Sequence, residues 1–192
     1  MHPHNATWLV VVSLALSACN GQPGDPASNP IGNVAQAQNK PAAAAPAAQS
    51  ATPAGKLVAG YLAAQEALVA DDLAAARAGF GLVKANALTQ AIADAALLAR
   101  VSKAATAGAA AKDLEGARNA LHDLSTALLD WLRAQPNPAG EALRVANCPM
   151  AFGSGAKWLQ RAEKVHNPYY GADMPTCGSI DATVKPGEKL SK

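Results

Sequence analysis

The spacing of apolar residues between Leu57 and Trp131 is the feature that most constrains how this chain folds. Apolar side chains recur there every three or four residues, most regularly from Leu114 onward. That period places them on one face of an α-helix. The pattern stops at Pro136 and Pro138, because proline lacks the backbone N–H that a helix interior needs. We therefore expect a helical half followed by a half with a different structure.

Four amphipathic helices are predicted within residues 53–136. The expected buried faces carry Leu57, Tyr61, Ala64 and Leu68 in the first helix, Leu73, Ala76, Phe80, Val83 and Ala87 in the second, Ile92, Ala95 and Ala99 in the third, and Leu114, Ala117, Leu121, Leu124, Leu128 and Trp131 in the fourth. The third helix is expected to run from about Leu88 to Ala105. Short connections favour an antiparallel up-down four-helix bundle, so the predicted fold class is all-α.

Several residues in this half are typical of helix ends or of close helix packing. Thr52 followed by Pro53 predicts an N-cap and a first helical turn. Asp71-Asp72 is interpreted as a helix cap rather than as a pair of catalytic carboxylates. Gly79 and Gly81 weaken the second helix. They predict either the close approach of another helix or a kink.

Residues 1–19 resemble a bacterial lipoprotein signal peptide. The apolar run Trp8–Ala18 is shorter than the roughly 20 residues that span a bilayer. It leads into Leu16-Ser17-Ala18-Cys19, which has the form of a lipobox and predicts lipidation of Cys19. Asn20, in place of an aspartate after that cysteine, predicts sorting to the outer membrane. We expect a periplasmic, lipid-anchored protein in which the Pro/Ala-rich residues 20–52 form a disordered tether.

The second half of the folded part is rich in glycine, proline and aromatic residues. Residues 139–180 are expected to be an irregular segment packed on the bundle, because aromatic side chains concentrate there. Ala142–Ala146 is predicted as a short strand or extended arm, and Gly155–Gln160 as one or two helical turns. Residues 181–192 are predicted as a flexible tail. Residues 53–192 are thus predicted to form a single helical domain.

Sulfur atoms are concentrated in the same segment. Apart from Met1 and Cys19, every sulfur atom of the chain belongs to Cys148, Met150, Met174 or Cys177. Thiolate and thioether sulfurs favour Cu(I), so these four residues are a candidate metal site, with His166 as a further candidate donor. The alternative is a Cys148–Cys177 disulfide, which the oxidising periplasm favours, with the methionines packed nearby. Both interpretations stay open at this point.

One set of short motifs resembles a known family. The set is Cys148-Pro149-Met150-Ala151, Trp158-Leu159, Asn167-Pro168-Tyr169-Tyr170-Gly171, Met174 and Cys177-Gly178. It is similar to a bacterial family of domains of unknown function, found as exported proteins and fused to periplasmic adaptor subunits of heavy-metal efflux pumps. The similarity covers about Leu57 to Cys177. It implies the handling of copper or a related heavy metal, with efflux-pump components as partners.

The family does not identify the metal ligands; the positions that match its motif include the four sulfur residues. The sequence departs from the family at Ser179, which follows Gly178 where an acidic residue is common. An acidic group near the site is therefore not expected from the motif alone.

A third interpretation is a protein-interaction module. Its contact residues would be the aromatic side chains Phe152, Trp158, Tyr169 and Tyr170, because aromatic anchors are common at interfaces. The alternative is that these aromatics belong to the core. His122 is interpreted as a partly exposed helix histidine.

The sequence contains no recognisable catalytic motif. It lacks His-Glu-x-x-His, Gly-x-Ser-x-Gly and a glycine-rich phosphate loop, so we do not expect an enzyme. The formal net charge is +2, with acidic and basic residues interspersed. Nucleic-acid binding is therefore not expected either.

Overall fold

Helices form the first part of the domain and a β-sheet forms the second. The computed structural model describes residues 51–89 and 91–191. The helices are α1 (Pro53–Val69), α2 (Leu73–Ala87), α3 (Ala95–Ala109) and α4 (Leu114–Ala134). The strands are β1 (Leu143–Cys148), β2 (Ala156–Gln160) and β3 (Ser179–Val184), with a short 3-10 turn at Ala151–Gly153. The all-α prediction is therefore wrong, because an antiparallel sheet in the order β2-β1-β3 replaces the irregular segment.

Side-chain caps define where the helices begin. Thr52 Oγ1 accepts a 3.0 Å hydrogen bond from the Gly55 N–H, which confirms the predicted start of α1. Asp72 and Asp113 cap α2 and α4 in the same way, with bonds of 2.9 and 2.7 Å. Asp94 caps α3, which therefore begins after it rather than near Leu88 as predicted. Each cap satisfies a backbone N–H that has no partner within its helix.

The buried helix faces follow the predicted pattern except in α3. All of the predicted positions in α1 are buried, and in α2 and α4 only Leu73 and Leu114 are partly exposed. In α3 the predicted Ala95 and Ala99 are exposed, and the buried residues are Val101, Ala104, Ala105 and Gly108. The error follows from composition, because alanine occurs on both faces of this helix and marks neither.

Two glycines allow α1 and α2 to pack closely. A Cβ atom on Gly79 would lie 2.5 Å from the backbone nitrogen of Ala64, and one on Gly60 would lie 2.9 Å from that of Val83. Any larger residue would force these helices apart. Gly79 therefore serves close packing, one of the two predicted alternatives, whereas a Cβ on Gly81 would meet no atom within 4 Å.

The C-terminal strand extends the sheet into the predicted tail. β3 pairs antiparallel with β1, and Asn147 of β1 lies opposite Ser179 of β3. Beyond β3, the Leu190 N–H donates a 2.8 Å hydrogen bond to the Leu132 carbonyl at the end of α4. The prediction of a flexible tail is therefore wrong for residues 181–184, which belong to β3, and Leu190 is still hydrogen-bonded to α4. The helical turns predicted at Gly155–Gln160 are likewise wrong, because this stretch is largely β2, whereas the strand predicted before Cys148 is confirmed as β1.

Tyrosine hydroxyls cover the outer edge of β2. The Leu159 N–H donates a 3.0 Å hydrogen bond to the Tyr61 hydroxyl, which also shares a 2.7 Å hydrogen bond with Ser125 Oγ. The Tyr169 hydroxyl donates to the Lys157 carbonyl at 2.9 Å. Burial raises the pKa of Tyr61 to about 12, although its hydrogen bonds with Ser125 and Leu159 act in the opposite direction. The phenols thus take the place of a further strand at an edge that would otherwise leave polar groups unpaired.

Candidate functional site

The sheet brings Cys148 and Cys177 into contact. Cys148 ends the central strand β1, and Cys177 lies in the turn that leads into β3. Asn147 is opposite Ser179 in the antiparallel β1–β3 register, so the next position brings Cys148 beside Gly178, and Cys177 is the residue directly before Gly178. The two Sγ atoms lie 2.9 Å apart, and both cysteines are free thiols in this structure. Cys148 is fully buried, whereas Cys177 is partly exposed.

Gly178 allows the turn with Cys177 to reach the sheet. Its φ is +128°, a backbone conformation that residues with a side chain rarely adopt. A Cβ atom on Gly178 would lie 2.3 Å from the Asn147 carbonyl oxygen. The Cys177-Gly178 motif therefore has a physical basis, because a side chain at position 178 would push Cys177 away from β1.

Asn167 connects both loops to the thiol pair. Its buried side-chain amide donates a 2.9 Å hydrogen bond to the Cys177 carbonyl, and its Oδ1 accepts one of 2.8 Å from the Tyr169 N–H. Its backbone N–H donates to the Pro175 carbonyl at 2.8 Å, and its side chain helps to lower the pKa of the Cys148 thiol. Asn167 belongs to the motif that resembles the efflux-associated family, but the sequence around it gave no specific signal for this role.

The surroundings of the pair favour a thiolate on Cys148. Burial raises the pKa of this thiol, but hydrogen bonds from Cys177, from the Met150 and Ala151 N–H groups and from Asn167 lower it, and the net shift is downward. The pKa of Cys177 is raised by its hydrogen bond to Cys148, by burial and by the charge on Cys148. The first proton therefore leaves the buried sulfur, and the partly exposed one keeps its proton longer.

The other three candidate metal ligands are all at least partly exposed to solvent. Met150 is 60 % exposed in the turn after Cys148, and Met174 is partly exposed in the turn before Cys177. Met150 does not continue the strand of Cys148, because β1 ends at Cys148. His166 is exposed. Within the described residues, no group of three or more His, Cys, Asp or Glu side chains is placed to hold an ion.

The four aromatic residues predicted for docking divide into core and surface. Trp158 and Tyr169 are buried and pack edge to face with ring centroids 5.5 Å apart, so they are core residues rather than contact residues. Phe152 is 43 % exposed and stacks on His122 at 4.5 Å. Tyr170 is partly exposed, and its hydroxyl donates to the Met150 carbonyl at 3.1 Å. Only Phe152 and Tyr170 are available to a partner.

An ion pair fastens the loop of Cys177 to the helices. Asp71, in the turn between α1 and α2, accepts hydrogen bonds from Arg118 of α4 and, at 3.1 Å, from the Ala172 N–H. Arg118 Nε also donates to the Pro168 carbonyl at 3.1 Å. The interpretation of Asp71-Asp72 as a cap is thus confirmed for Asp72 alone. Asp71 holds the loop of residues 167–177, and a role for Arg118 was missed because only the tertiary fold brings it near.

Neither a membrane span nor a known relative can be assigned from the described part of the chain. None of its helices is long and apolar enough to cross a bilayer. The predicted signal peptide with Cys19, and the tether as far as residue 50, lie outside the described residues. A comparison of the whole chain with family models, with curated proteins and with solved structures found no match. The resemblance to the efflux-associated family therefore stays a prediction.

Proposed function

We propose that this is a periplasmic, lipid-anchored protein that binds copper or a related soft metal through Cys148 and Cys177 and supports metal resistance or efflux. One observation carries the proposal. The two sulfurs are 29 positions apart in the sequence and 2.9 Å apart in space. Two cysteines in contact, of which Cys177 is partly exposed, form a two-sulfur donor set.

The donor set favours a soft, monovalent ion. Structural zinc sites use four nitrogen or sulfur ligands, and calcium sites use six or more oxygens. Two sulfurs match neither, but thiolates and thioethers select Cu(I). A metal-bound cysteine must lose its proton, which the hydrogen bonds to Cys148 favour. Met150 and Met174 lie in the two turns beside the thiols and are the candidate additional ligands.

Binding requires a small movement of Cys177. Metal–thiolate bonds are about 2.3 Å long, so two sulfurs 2.9 Å apart would subtend a narrow angle at a shared ion. Cys148 is held within the sheet, whereas Cys177 lies on a turn whose neighbours Pro175 and Thr176 are exposed. We expect the turn rather than the strand to adjust.

An anaerobic Cu(I) titration against a competing chelator tests the proposal. The parent is the full-length chain with Cys19→Ser, so that the leader contributes no thiol. We expect one ion per chain, at least a tenfold loss of affinity in Cys148→Ser and Cys177→Ser, and a smaller loss in Met150→Leu and Met174→Leu. Asn119→Ala is the control, because this side chain is exposed on α4 and is not a candidate ligand. Parent-like binding by both cysteine variants would rule out the site.

The second candidate is a non-catalytic interaction module of an efflux or envelope complex, in which Cys148 and Cys177 form a structural disulfide. It is favoured by the exposed Met150 and Phe152 on one turn beside the pair, because aromatic and methionine side chains are enriched at interfaces. In that case Phe152→Ala would abolish capture of a purified efflux adaptor subunit, and the reduced parent would not bind Cu(I). If the metal proposal is right, Phe152→Ala leaves the copper affinity unchanged.

A further inference from the structure

We infer that thiol–disulfide exchange reaches this site through Cys177 alone, so that Cys148 is the sulfur released when the pair is opened. The inference rests on the proposed function in one respect, namely that the opened pair is the form that takes a metal. It adds a route by which external thiols would control that form. It follows from the different exposure of two sulfurs in contact.

Cys148 is enclosed on every side that the structure describes. It is fully buried at the end of the central strand, and Ala156 of β2 lies opposite it. The N–H groups of Met150 and Ala151 and the side chain of Asn167 act on its sulfur and lower its pKa. An incoming thiolate must approach the attacked sulfur from the side away from the leaving sulfur, and access is one determinant of the exchange rate. At Cys148 the side away from Cys177 is occupied by protein atoms, so a thiolate cannot reach it.

Cys177, in contrast, is open to solvent. It is partly exposed, and the residues on either side of it, Thr176 and Gly178, are exposed. The turn that carries it has no regular secondary structure from Gly171 to Gly178. A small thiol can therefore approach the Cys177 sulfur from solvent, whereas it cannot approach Cys148.

The opening reaction takes two steps. In the first, a small thiolate attacks the Cys177 sulfur of the disulfide; a bond forms between these two sulfurs, the Cys148–Cys177 bond breaks, and Cys148 leaves as a thiolate. In the second, another small thiolate attacks the external sulfur of the mixed disulfide; the Cys177 thiolate leaves, and the two small thiols depart joined as their disulfide. The external thiols are oxidised by two electrons, and the protein disulfide is reduced by two.

Closing the pair reverses these steps with a small disulfide as the oxidant. Cys177 loses its proton to solvent, and the resulting thiolate attacks the small disulfide and releases one small thiolate. Cys148 then attacks the Cys177 sulfur of the mixed disulfide and releases the second. The closed pair has no thiolate to offer a metal, so the redox state of the small thiols outside the domain sets its capacity for metal.

The test uses the full-length chain with Cys19→Ser and no metal. Cys148→Ser leaves only Cys177, and Cys177→Ser leaves only Cys148; each reacts with a small aromatic disulfide whose released thiolate absorbs light. The rates are compared at their limiting high-pH values, so that ionisation does not contribute. We expect Cys177 to react at least tenfold faster in the folded chain, and both cysteines to react equally in urea. A folded-state Cys148 that reacts as fast as Cys177 would overturn the inference.

A second measurement on the parent pair avoids any effect of the substitutions on folding. The oxidised parent is treated briefly with glutathione, quenched with acid and cleaved into peptides for mass spectrometry. We expect glutathione on the peptide that contains Cys177, and its presence on the Cys148 peptide would contradict the inference. Because neither assay contains metal, failure of the copper titration leaves this result unaffected, and the reverse also holds.

Discussion

The side-chain amide of Asn167 donates a 2.9 Å hydrogen bond to the backbone carbonyl of Cys177. It thereby ties the loop that begins after β2 to the turn that begins β3. Without it, the turn would keep its contact with β1 but lose a buried polar anchor. The geometry of the thiol pair thus depends on an uncharged residue that does not itself need to touch a metal.

We predict that Asn167→Ala lowers the free energy of unfolding by about 1–3 kcal/mol, because buried groups such as the Tyr169 N–H lose their partner. The Cu(I) affinity of the reduced protein should fall as well. Urea denaturation and the chelator competition measure the two effects. Asn119→Ala, on the exposed surface of α4, is the control and should change stability by less than about 0.5 kcal/mol. Equal effects of the two substitutions would contradict the role of Asn167.

Gly178→Ala should slow disulfide formation between Cys148 and Cys177. The new Cβ atom would start 2.3 Å from the Asn147 carbonyl oxygen and displace the turn from the sheet. Thiol titration during oxidation by a small disulfide gives the rate. Gly153→Ala is the matched control, because Gly153 also has a positive φ of +71° but a Cβ there would meet no atom within 4 Å. If the disulfide forms equally fast in both variants, the clash at position 178 does not control the contact between Cys148 and Cys177.

Arg118→Ala should destabilise the domain more than Arg100→Ala. Arg118 bonds both Asp71 and the Pro168 carbonyl, and hydrogen bonds to charged groups contribute about 1.5–3 kcal/mol. Arg100 pairs with Asp130 at 2.8 Å where both side chains are nearly half exposed, and such pairs contribute at most about 1 kcal/mol. Chemical denaturation of the two variants measures the difference. A larger loss of unfolding free energy in Arg100→Ala would show that the bonds from Arg118 to Asp71 and Pro168 are unimportant for stability.

Tyr61→Phe should cost about 1–3 kcal/mol of stability, because the buried Leu159 N–H at the sheet edge loses its acceptor. Tyr170→Phe is the control, since its hydroxyl bonds an exposed carbonyl at Met150 and water can replace it. Thermal or urea unfolding reports both. A Tyr61→Phe variant as stable as the parent would mean that the phenol does not protect the edge of β2.

The reduced protein should gain stability from Cys148 as the pH rises. Its pKa is lower in the folded state than in the unfolded chain, so this contribution is present above the unfolded pKa and is lost as the pH falls through the folded one. Cys177, whose pKa is raised, contributes stability below its unfolded pKa that is lost at higher pH. The difference in unfolding free energy between parent and Cys148→Ser, measured against pH under reducing conditions, should increase upward through the folded pKa of Cys148. A difference that falls over this range would contradict the assigned direction.

The buried faces of α1, α2 and α4 could be predicted from the sequence because their apolar residues recur every three or four positions. The large apolar side chains of α1 are buried whichever element the helix packs against. The spacing of Leu57, Tyr61 and Leu68 alone therefore identifies the buried face. The sheet could not be predicted so well. β2 and β3 have five and six residues, and β3 borders solvent on alternate positions, so each segment alone is consistent with a turn or a tail.

The site was predictable in its chemistry but not in its geometry. The concentration of sulfur identified Cys148 and Cys177, yet their contact depends on the register of β1 with β3, which no local pattern reveals. The roles of Asn167, Asp71 and Arg118 depend on partners about 10 to 101 positions away in the chain. The identity of a polar side chain does not predict a partner far away in the sequence, because the same residue is equally common in turns and at the surface.

X-ray absorption at the copper edge of the Cu(I)-loaded, full-length Cys19→Ser protein tests the central claim most directly. The Cys148–Cys177 site predicts a first coordination shell made of sulfur atoms alone, which is lost in the Cys177→Ser variant. A shell of nitrogen or oxygen atoms, or a sulfur shell that persists in that variant, would contradict the claim.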